Sequence, residues 1–297
     1  MAEDKKAFVD EINKALAKSE GLTLKDLLFS YWGTPYSATM CSAEMFQALE
    51  NLEARRDDML LVSYPKCGVN WFIQIISDLI FTTIQSKPVS TELPFIEIGD
   101  PDKYQRMKQI PSPRILATHL NYDCFPKSIF KNKAKILVLF QNPKDTAVSF
   151  LHFHNSVPRV PSYSSWDEFF SEFMNGKVVW GSCFDHAVTW NKHIEDENTM
   201  IIIYEDLKEN LTASVKQIAE FFGFFPTAEQ IQSIADRDTF QAVEDKAEET
   251  HGAVGSILSA KVNLFVFCQD WKNLFTEAQN KEMDLGAKLK YDVYCRD

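Results

Sequence analysis

The chain has 297 residues, of which 45% are hydrophobic and 13% aromatic, which predicts a densely packed globular protein and excludes a disordered one. This length is close to the size at which a single core stops growing, and no segment reads as a linker, so we expect one domain over residues 1–297. The formal net charge of −11 argues against a nucleic-acid or anionic-membrane surface, so an anionic ligand must be held by a local group of cations.

The six cysteines form no C-x-x-C pair, which suggests neither a zinc site nor a disulfide framework. The first residues lack the apolar core of a secretory signal, and no later apolar run reaches the roughly 18 residues of a membrane span. We therefore expect free thiols, no membrane partner and a cytoplasmic location.

Two elements are predicted before residue 58. Residues 5–18 read as an amphipathic helix with one apolar face. An aromatic, turn-rich segment follows at residues 29–36. It is either an edge of the core or part of the lining of an acceptor pocket, because both have this composition.

Residues 58–81 read as strand, turn and helix. The run Met59–Ser63 has the length of a buried strand, and apolar residues recur at helical spacing after the turn. The turn carries Lys66 and Gly68. Such a turn leaves helix N–H groups without partners, and it adds an ammonium group and a glycine that lets the backbone approach a ligand closely. Together these features predict a phosphate cradle. It is not the P-loop NTPase signature, and an ordinary surface lysine in such a turn is the alternative.

The next stretch, residues 85–113, contains five prolines, and a loop of this length in a compact chain is often a lid. Residues 114–119 then read as a short strand that ends at His119. A lone histidine is usually structural or exposed. Ligands gather at the carboxyl ends of parallel strands, however, and this position makes His119 a candidate functional residue.

A second strand, turn and helix follow. Residues 134–140 form an apolar run typical of a buried parallel strand, and Pro143 lies near the start of the next helix. Ser149 falls in the early turns of that helix, where its hydroxyl can meet a phosphate. The alternative is an ordinary small helix residue.

The remaining chain continues the alternation of strands and helices. Ser164 or Ser165 is suited to cap one helix, and residues 211–222 form another that Gly223 closes. Residues 200–204 read as a continuous apolar strand. The pattern predicts an α/β fold of three layers, with a central, mostly parallel sheet flanked by helices.

Three strand ends, in their order and separation, resemble those of the cytosolic sulfotransferase family. They are Tyr64-Pro65-Lys66-Cys67-Gly68 before Trp71, Thr118-His119-Leu120, and Asn142-Pro143-Lys144-Asp145 before Val148-Ser149. The similarity continues through residues 204–210, 239–240, 270–275 and 288–291, so it spans nearly the whole chain. Residues 64–68 and 149–155 look most similar to the 6B-type branch of the family.

The resemblance implies a P-loop-like nucleotide-binding architecture and the sulfuryl donor PAPS, 3′-phosphoadenosine 5′-phosphosulfate. The implied acceptor is the hydroxyl or amine of a small aromatic molecule such as a phenol, steroid, iodothyronine or xenobiotic, and no metal is implied. His119 matches the family's catalytic base, and Lys66 matches the cation that stabilises the leaving phosphate. The positions that match donor-binding residues are Lys66, Cys67, Gly68, Val69, Asn70, Trp71, Gln141, Ser149, Tyr204, Thr239, Phe240 and Lys261.

Elementary chemistry supports the two catalytic roles. By analogy with phosphoryl transfer, a loose transition state moves charge to the leaving oxygen, where a cation such as Lys66 stabilises it. An imidazole with an ordinary pKa of about 6.5 can take the proton of the acceptor near neutral pH. Such general-base assistance typically contributes about 10² to 10⁴ in rate.

Some positions depart from the family pattern, and they cluster on the donor. Gln141 stands where members usually carry arginine, and Ala260, Lys261 and Val262 replace an expected Arg-Lys-Gly segment. A neutral amide supplies neither the charge nor the bidentate fork of an arginine. Two lost charge-assisted hydrogen bonds, at roughly 1.5–3 kcal/mol each, predict donor binding weakened by about 10² to 10⁴.

These departures leave more than one function open. The leading hypothesis is an active PAPS-dependent sulfotransferase. The second is a cofactor-impaired homologue that binds small molecules without turnover, and a nucleotide kinase is disfavoured because the lysine and hydroxyl of the NTPase signature are missing. Glu277 and Lys281 also alter the family's short dimerisation motif, so the sequence leaves both a monomer and a homodimer open.

Overall fold

The computed structural model describes residues 27–85, 92–157, 160–239 and 271–290, with the side chains of 288–290 excepted. The predicted helix at residues 5–18 lies outside these ranges. Within them, no helix has both the length and the apolar character needed to cross a bilayer.

The described chain opens with a hairpin of two antiparallel strands, β1 Leu28–Tyr31 and β2 Thr34–Ser37. Helix α1, Ala43–Leu49, follows, and the ring of Tyr31 stacks on Phe46 of this helix with centroids 4.7 Å apart. The aromatic segment predicted from the sequence therefore packs as an edge of the core.

Four parallel strands form the central sheet, which confirms the predicted fold class. They are β3 Met59–Ser63, β4 Ile115–Thr118, β5 Lys135–Phe140 and β6 Thr199–Ile203. The spatial order is β4–β3–β5–β6, so β3 lies next to β4 on one side and β5 on the other. All five residues of β3 are buried, as its uninterrupted apolar run indicates.

Helices cover both faces of this sheet. After α1 they are α2 Val69–Ile84, α3 Lys103–Met107, α4 Lys127–Lys131, α5 Pro143–Ser156, α6 Trp166–Met174, α7 Cys183–Asn191, α8 Tyr204–Glu209, α9 Leu211–Phe222, α10 Ala228–Arg237, α11 Trp271–Leu274 and α12 Glu277–Lys290. Leu60 and Val62 of β3 point into a core shared with α1, α5, α6 and α7. Met59 and Leu61 point to the other face, where α2, α9 and α10 pack. This alternation produces the three predicted layers.

Local signals set several helix ends as predicted. Ser165 is the cap of α6, because its hydroxyl accepts the N–H of Glu168, whereas Ser164 donates its hydroxyl to the Glu168 carboxylate. Gly223 closes α9 with a φ of 83°. Tyr204 corrects one prediction: it begins helix α8 instead of ending strand β6, because the acidic residues that follow it suit a first helical turn.

The last two helices are attached to the start of α5. Lys144, which is buried, places its Nζ atom 2.6 Å from a carboxylate oxygen of Asp284 in α12. The same ammonium group lies 4.6 Å from the ring centroid of Trp271 in α11. One lysine therefore holds both C-terminal elements against the helix that follows β5.

Candidate active site

Lys66 and His119 follow neighbouring strands of the sheet. Val62 of β3 and Thr118 of β4 are in register, so the chain leaves both strands at the same edge. Loops at the carboxyl ends of parallel strands are where α/β proteins bind ligands. The charge on Lys66 lowers the pKa of His119, which puts the two side chains within electrostatic reach of each other.

The His119 ring is held in one tautomer. Its Nδ1 atom lies 2.8 Å from the carbonyl oxygen of Ser63, and because a carbonyl only accepts, Nδ1 carries the proton. Burial lowers the pKa of His119 to about 4; the Ser63 hydrogen bond opposes this shift and the Lys66 charge adds to it. The ring is therefore neutral near pH 7, and its Nε2 atom has a lone pair that no residue in the described ranges engages.

Lys66 lies in the turn between β3 and α2 with a left-handed backbone, φ 71°. Its side chain is half-buried, and burial lowers the pKa of the ammonium group to about 8. The group is still mostly protonated at neutral pH, so Lys66 remains a cation at the sheet edge. Partial removal from water also strengthens its interaction with any anion that binds there.

The start of α2 offers backbone donors. Gly68 precedes the helix with a φ of 84°, no side chain caps the first turn, and no acidic residue lies in it. The N–H groups of Gly68, Val69 and Asn70 donate to nothing in the described part of the chain. A Cβ atom at position 68 would lie 2.6 Å from two ring atoms of Tyr204, so only glycine fits. The arrangement suits a phosphate or sulfate group.

An aromatic pair lies beside this turn. Trp71 and Tyr204 are both buried and meet edge to face, with ring centroids 5.5 Å apart. The indole N–H of Trp71 donates to the carbonyl of Asp238 at 2.6 Å, and the exposed Thr239 follows Asp238 in the chain. The structure therefore places two further predicted residues, Trp71 and Tyr204, beside Gly68.

Cys67 and Gln141 form a second group behind the turn. The Cys67 thiol lies 3.6 Å from the hydroxyl of Thr146, which in turn donates to Oε1 of Gln141 at 3.3 Å. Burial raises the pKa of Cys67 to about 12, so the sulfur stays a neutral thiol. A cavity of about 50 Å³ adjoins these residues, and Gln141 shares it with His186 of α7. The Gln141 Nε2 atom is buried there without a partner among the described residues.

The positions of the other predicted residues say less about ligand binding. The side chain of Val69 belongs to the core, so only its backbone is available to a ligand. Asn70 is half-buried in the first turn of α2, and Ser149 is buried within the first two turns of α5. Phe240 and Lys261 lie outside the described residues, as do Ala260 and Val262.

Three residues that surround His119 were not anticipated from the sequence. The rings of Phe95 and Trp180 lie 5.0 and 5.5 Å from the imidazole, and Glu97 accepts the His119 backbone N–H at 2.8 Å. The signal for Glu97 was present: a carboxylate between Ile96 and Ile98 in a short apolar run is unusual in an exposed loop.

Comparison with known proteins identifies the family of the chain. Residues 56–292 match the family model described as Sulfotransferase domain. The chain is 58% identical to human sulfotransferase 6B1 in an alignment of 304 positions that covers 99% of each chain, and this confirms the predicted resemblance to the 6B-type branch. It superposes on mouse sulfotransferase SULT7A1 complexed with PAP with a TM-score of 0.77 at 33% identity, covering 89% of this chain and 94% of that one. Retinol dehydratase in complex with retinol and PAP shares the fold, with a TM-score of 0.71 at 19% identity over 97% of this chain and 96% of that one. The chain therefore belongs to the sulfotransferase family of enzymes.

Proposed function

We propose that the protein transfers a sulfuryl group from PAPS to the hydroxyl or amine of a small aromatic acceptor. The observation that carries this proposal is the placement of a cation, Lys66, and a neutral imidazole, His119, at one edge of the sheet. When bound, PAPS supplies an activated sulfuryl group and an anionic leaving group. Side chains and backbone groups of this chain supply the rest.

The turn between β3 and α2 fits the anionic end of this donor. Its N–H groups at residues 68–70 have no partners in the described chain, and Lys66 adds a full charge. The protein as a whole carries a net charge of −11, so this local cation and the positive end of α2 are what make the site attractive to an anion. Trp71 and Tyr204 would hold the adenine side, while Ser149 and Thr239 offer hydroxyls.

His119 serves as the base. Nδ1 is committed to Ser63, so Nε2 is the atom that accepts the acceptor's proton. In the free protein Lys66 helps to keep the pKa of His119 low. An anion bound at Lys66 offsets that charge and shifts the pKa of His119 upward, towards the value at which an imidazole is an effective base near neutral pH. Donor binding therefore prepares the base.

The surroundings of His119 favour an aromatic acceptor. Phe95 and Trp180 flank the imidazole and present apolar surfaces. A planar ring can pack against them while its hydroxyl points at Nε2. This supports phenols, steroids and iodothyronines as the first compounds to test.

The test is a turnover assay with labelled PAPS across these acceptors, together with His119→Ala. We expect the variant to lose turnover by about 10² to 10⁴ while calorimetry with adenosine 3′,5′-bisphosphate gives nearly the same affinity. His193→Ala is the matched control, because His193 contacts Asp196 and the ring of Tyr122, away from the base. Full activity in His119→Ala would show that another group takes the proton.

A second candidate function is binding without turnover, and Gln141 favours it. The side chain is neutral, it lies beside a neutral thiol, and its amide meets no charged partner among the described residues. Calorimetry of the wild-type protein separates the two: absence of adenosine 3′,5′-bisphosphate binding at millimolar ligand would support the binding protein and remove the enzyme.

A further inference from the structure

Residues 94–96 pair with β4 through a single bridge, and a turn at residues 96–97 follows beside His119. Phe95 forms a parallel bridge with Ala117 of β4, with Ile96 N–H donating to the Ala117 carbonyl at 2.9 Å. The Ala117 N–H donates to Pro94 at 2.8 Å. Phe95 and Glu97 both contact His119: the Phe95 ring packs near the imidazole, and the Glu97 carboxylate accepts the His119 backbone N–H.

Glu97 is fully buried, with 0% of its surface exposed, which is unusual for a carboxylate. One oxygen accepts the backbone N–H of His119 at 2.8 Å, and the second is buried with no hydrogen-bond partner in the described ranges. Burial raises the pKa of Glu97, and the His119 N–H is the strongest influence that opposes the rise. Burying such a group is costly, so its contact with the base calls for an explanation.

Helix α3 fixes the segment that carries Glu97. The buried Lys103 donates from Nζ to the carbonyls of Phe95, at 2.5 Å, and Ile98, at 2.7 Å. Tyr104 donates its hydroxyl to the carbonyl of Ile96 at 2.7 Å. Two carbonyls before Glu97 and one after it are therefore held by hydrogen bonds from α3.

The groups that surround Glu97 are mostly uncharged. Lys103 is the one cation that acts on it within the described chain, and Tyr36, Cys41 and Tyr104 lie near it as groups whose pKa burial raises. The rise in the pKa of Glu97 is opposed by hydrogen bonding from the N–H of the base, from its own N–H and from the Thr118 hydroxyl, and by the charge of one ammonium group.

We propose that Glu97 is a positioning residue: its carboxylate fixes the backbone of His119 so that the imidazole presents Nε2 to the acceptor. This rests on the proposed function, in which His119 is the base. The ring is anchored to β3 through Ser63 and the backbone to residues 94–98 through Glu97. With both anchors in place, the direction of Nε2 is set before any ligand binds.

The experiment compares Glu97→Ala with Glu97→Gln, which keeps an oxygen that can accept the His119 N–H. The control is Asp100→Ala, since Asp100 lies on the same connection but pairs with Arg106 at the surface. The readouts are kcat, KM for PAPS, the unfolding temperature, and the pKa of His119 from its ring proton resonances in the ligand-free protein.

We expect Glu97→Ala to lower kcat by about 10², the loss typical of a misplacement of about 1 Å, with KM for PAPS little changed. Its His119 pKa should rise from about 4 towards the ordinary value of about 6.5, because a released ring gains water. Glu97→Gln should recover most of kcat and keep the low pKa, and Asp100→Ala should match the wild type in both.

Three results would overturn the proposal. They are an unchanged kcat and His119 pKa in Glu97→Ala, a loss that appears in KM for PAPS, or a Glu97→Gln variant that folds but is as impaired as Glu97→Ala. The His119 resonance is measured without turnover, so it tests Glu97 even if the wild-type protein proves inactive. Failure of the proposed function and failure of this inference are thus distinguishable.

Discussion

Gly68 offers a sharp test of the cradle, because two separate penalties meet at this position. Its backbone is left-handed, with a φ of 84°, and a Cβ atom would lie 2.6 Å from two atoms of the Tyr204 ring. The ring is fully buried and packs edge to face on Trp71, so it cannot move freely aside. Gly68→Ala therefore forces either the turn or the ring to shift.

The size of the effect follows from these two penalties. A left-handed alanine costs about 1–2 kcal/mol, and overpacking of a buried contact costs about 1–3 kcal/mol, so unfolding free energy should fall by about 2–5 kcal/mol. For a chain of this size each kcal/mol lowers the unfolding temperature by about 2 °C, which predicts a decrease of about 4–10 °C.

Gly33 is a matched control within the same chain. It has a φ of 80°, but no atom lies within 4 Å of the position that a Cβ would occupy, so Gly33→Ala pays the backbone penalty alone. Its unfolding temperature should fall by about 2–4 °C. The affinity for adenosine 3′,5′-bisphosphate, measured by calorimetry, should fall in Gly68→Ala and stay unchanged in Gly33→Ala.

Tyr204→Ala completes the test, because it removes the ring that the new methyl group would strike. In that background the cost of Gly68→Ala should fall to that of Gly33→Ala. Equal temperature shifts for the two glycine variants in the wild-type background, or no coupling between positions 68 and 204, would refute the close approach of turn and ring.

Three further predictions concern charge and protonation. Gln141→Arg should tighten adenosine 3′,5′-bisphosphate by about tenfold or more in calorimetry, and an unchanged Kd would mean that position 141 does not face the 3′-phosphate. Affinity for the same ligand should fall as pH rises through about 8, where Lys66 loses its proton. The Lys66→Met variant should bind this ligand more weakly at all pH values, and its affinity should lack this pH dependence. Burial lowers the pKa of His119 and His154 to about 4 and of His186 to about 3, so the unfolded chain binds more protons below about pH 6.5. Stability should therefore fall as pH drops from about 6.5 towards 4; His154→Gln should flatten a plot of unfolding temperature against pH, and an identical slope would contradict this assignment.

Much of the fold could be predicted because its strands are buried on both faces. Uninterrupted apolar runs mark β3 and β5 to within a residue, and glycine or serine signals mark several helix ends. The boundary at Tyr204 could not be predicted in this way, since an apolar ring suits the end of a strand and the start of a helix equally well.

The site was predictable in part for the same reason. Lys66 and His119 come directly after strands, so chain order alone places them at a sheet edge once the strands are parallel. The contacts of Glu97 and Gln141 depend on how loops and helices pack across distant parts of the chain. The isoleucines on either side of Glu97 indicate its burial, but local patterns do not indicate which groups it contacts.

Lys144 has a consequence for how the protein can be shortened or tagged. Its ammonium group is buried between Asp284 and the ring of Trp271, and Ala287 forms part of the wall of the cavity beside Gln141. Removal of residues 271–297 would leave the buried ammonium group at the start of α5 without these two contacts, and it would admit bulk water next to the Cys67 turn. A fusion partner should therefore be joined through a spacer that leaves α12 seated.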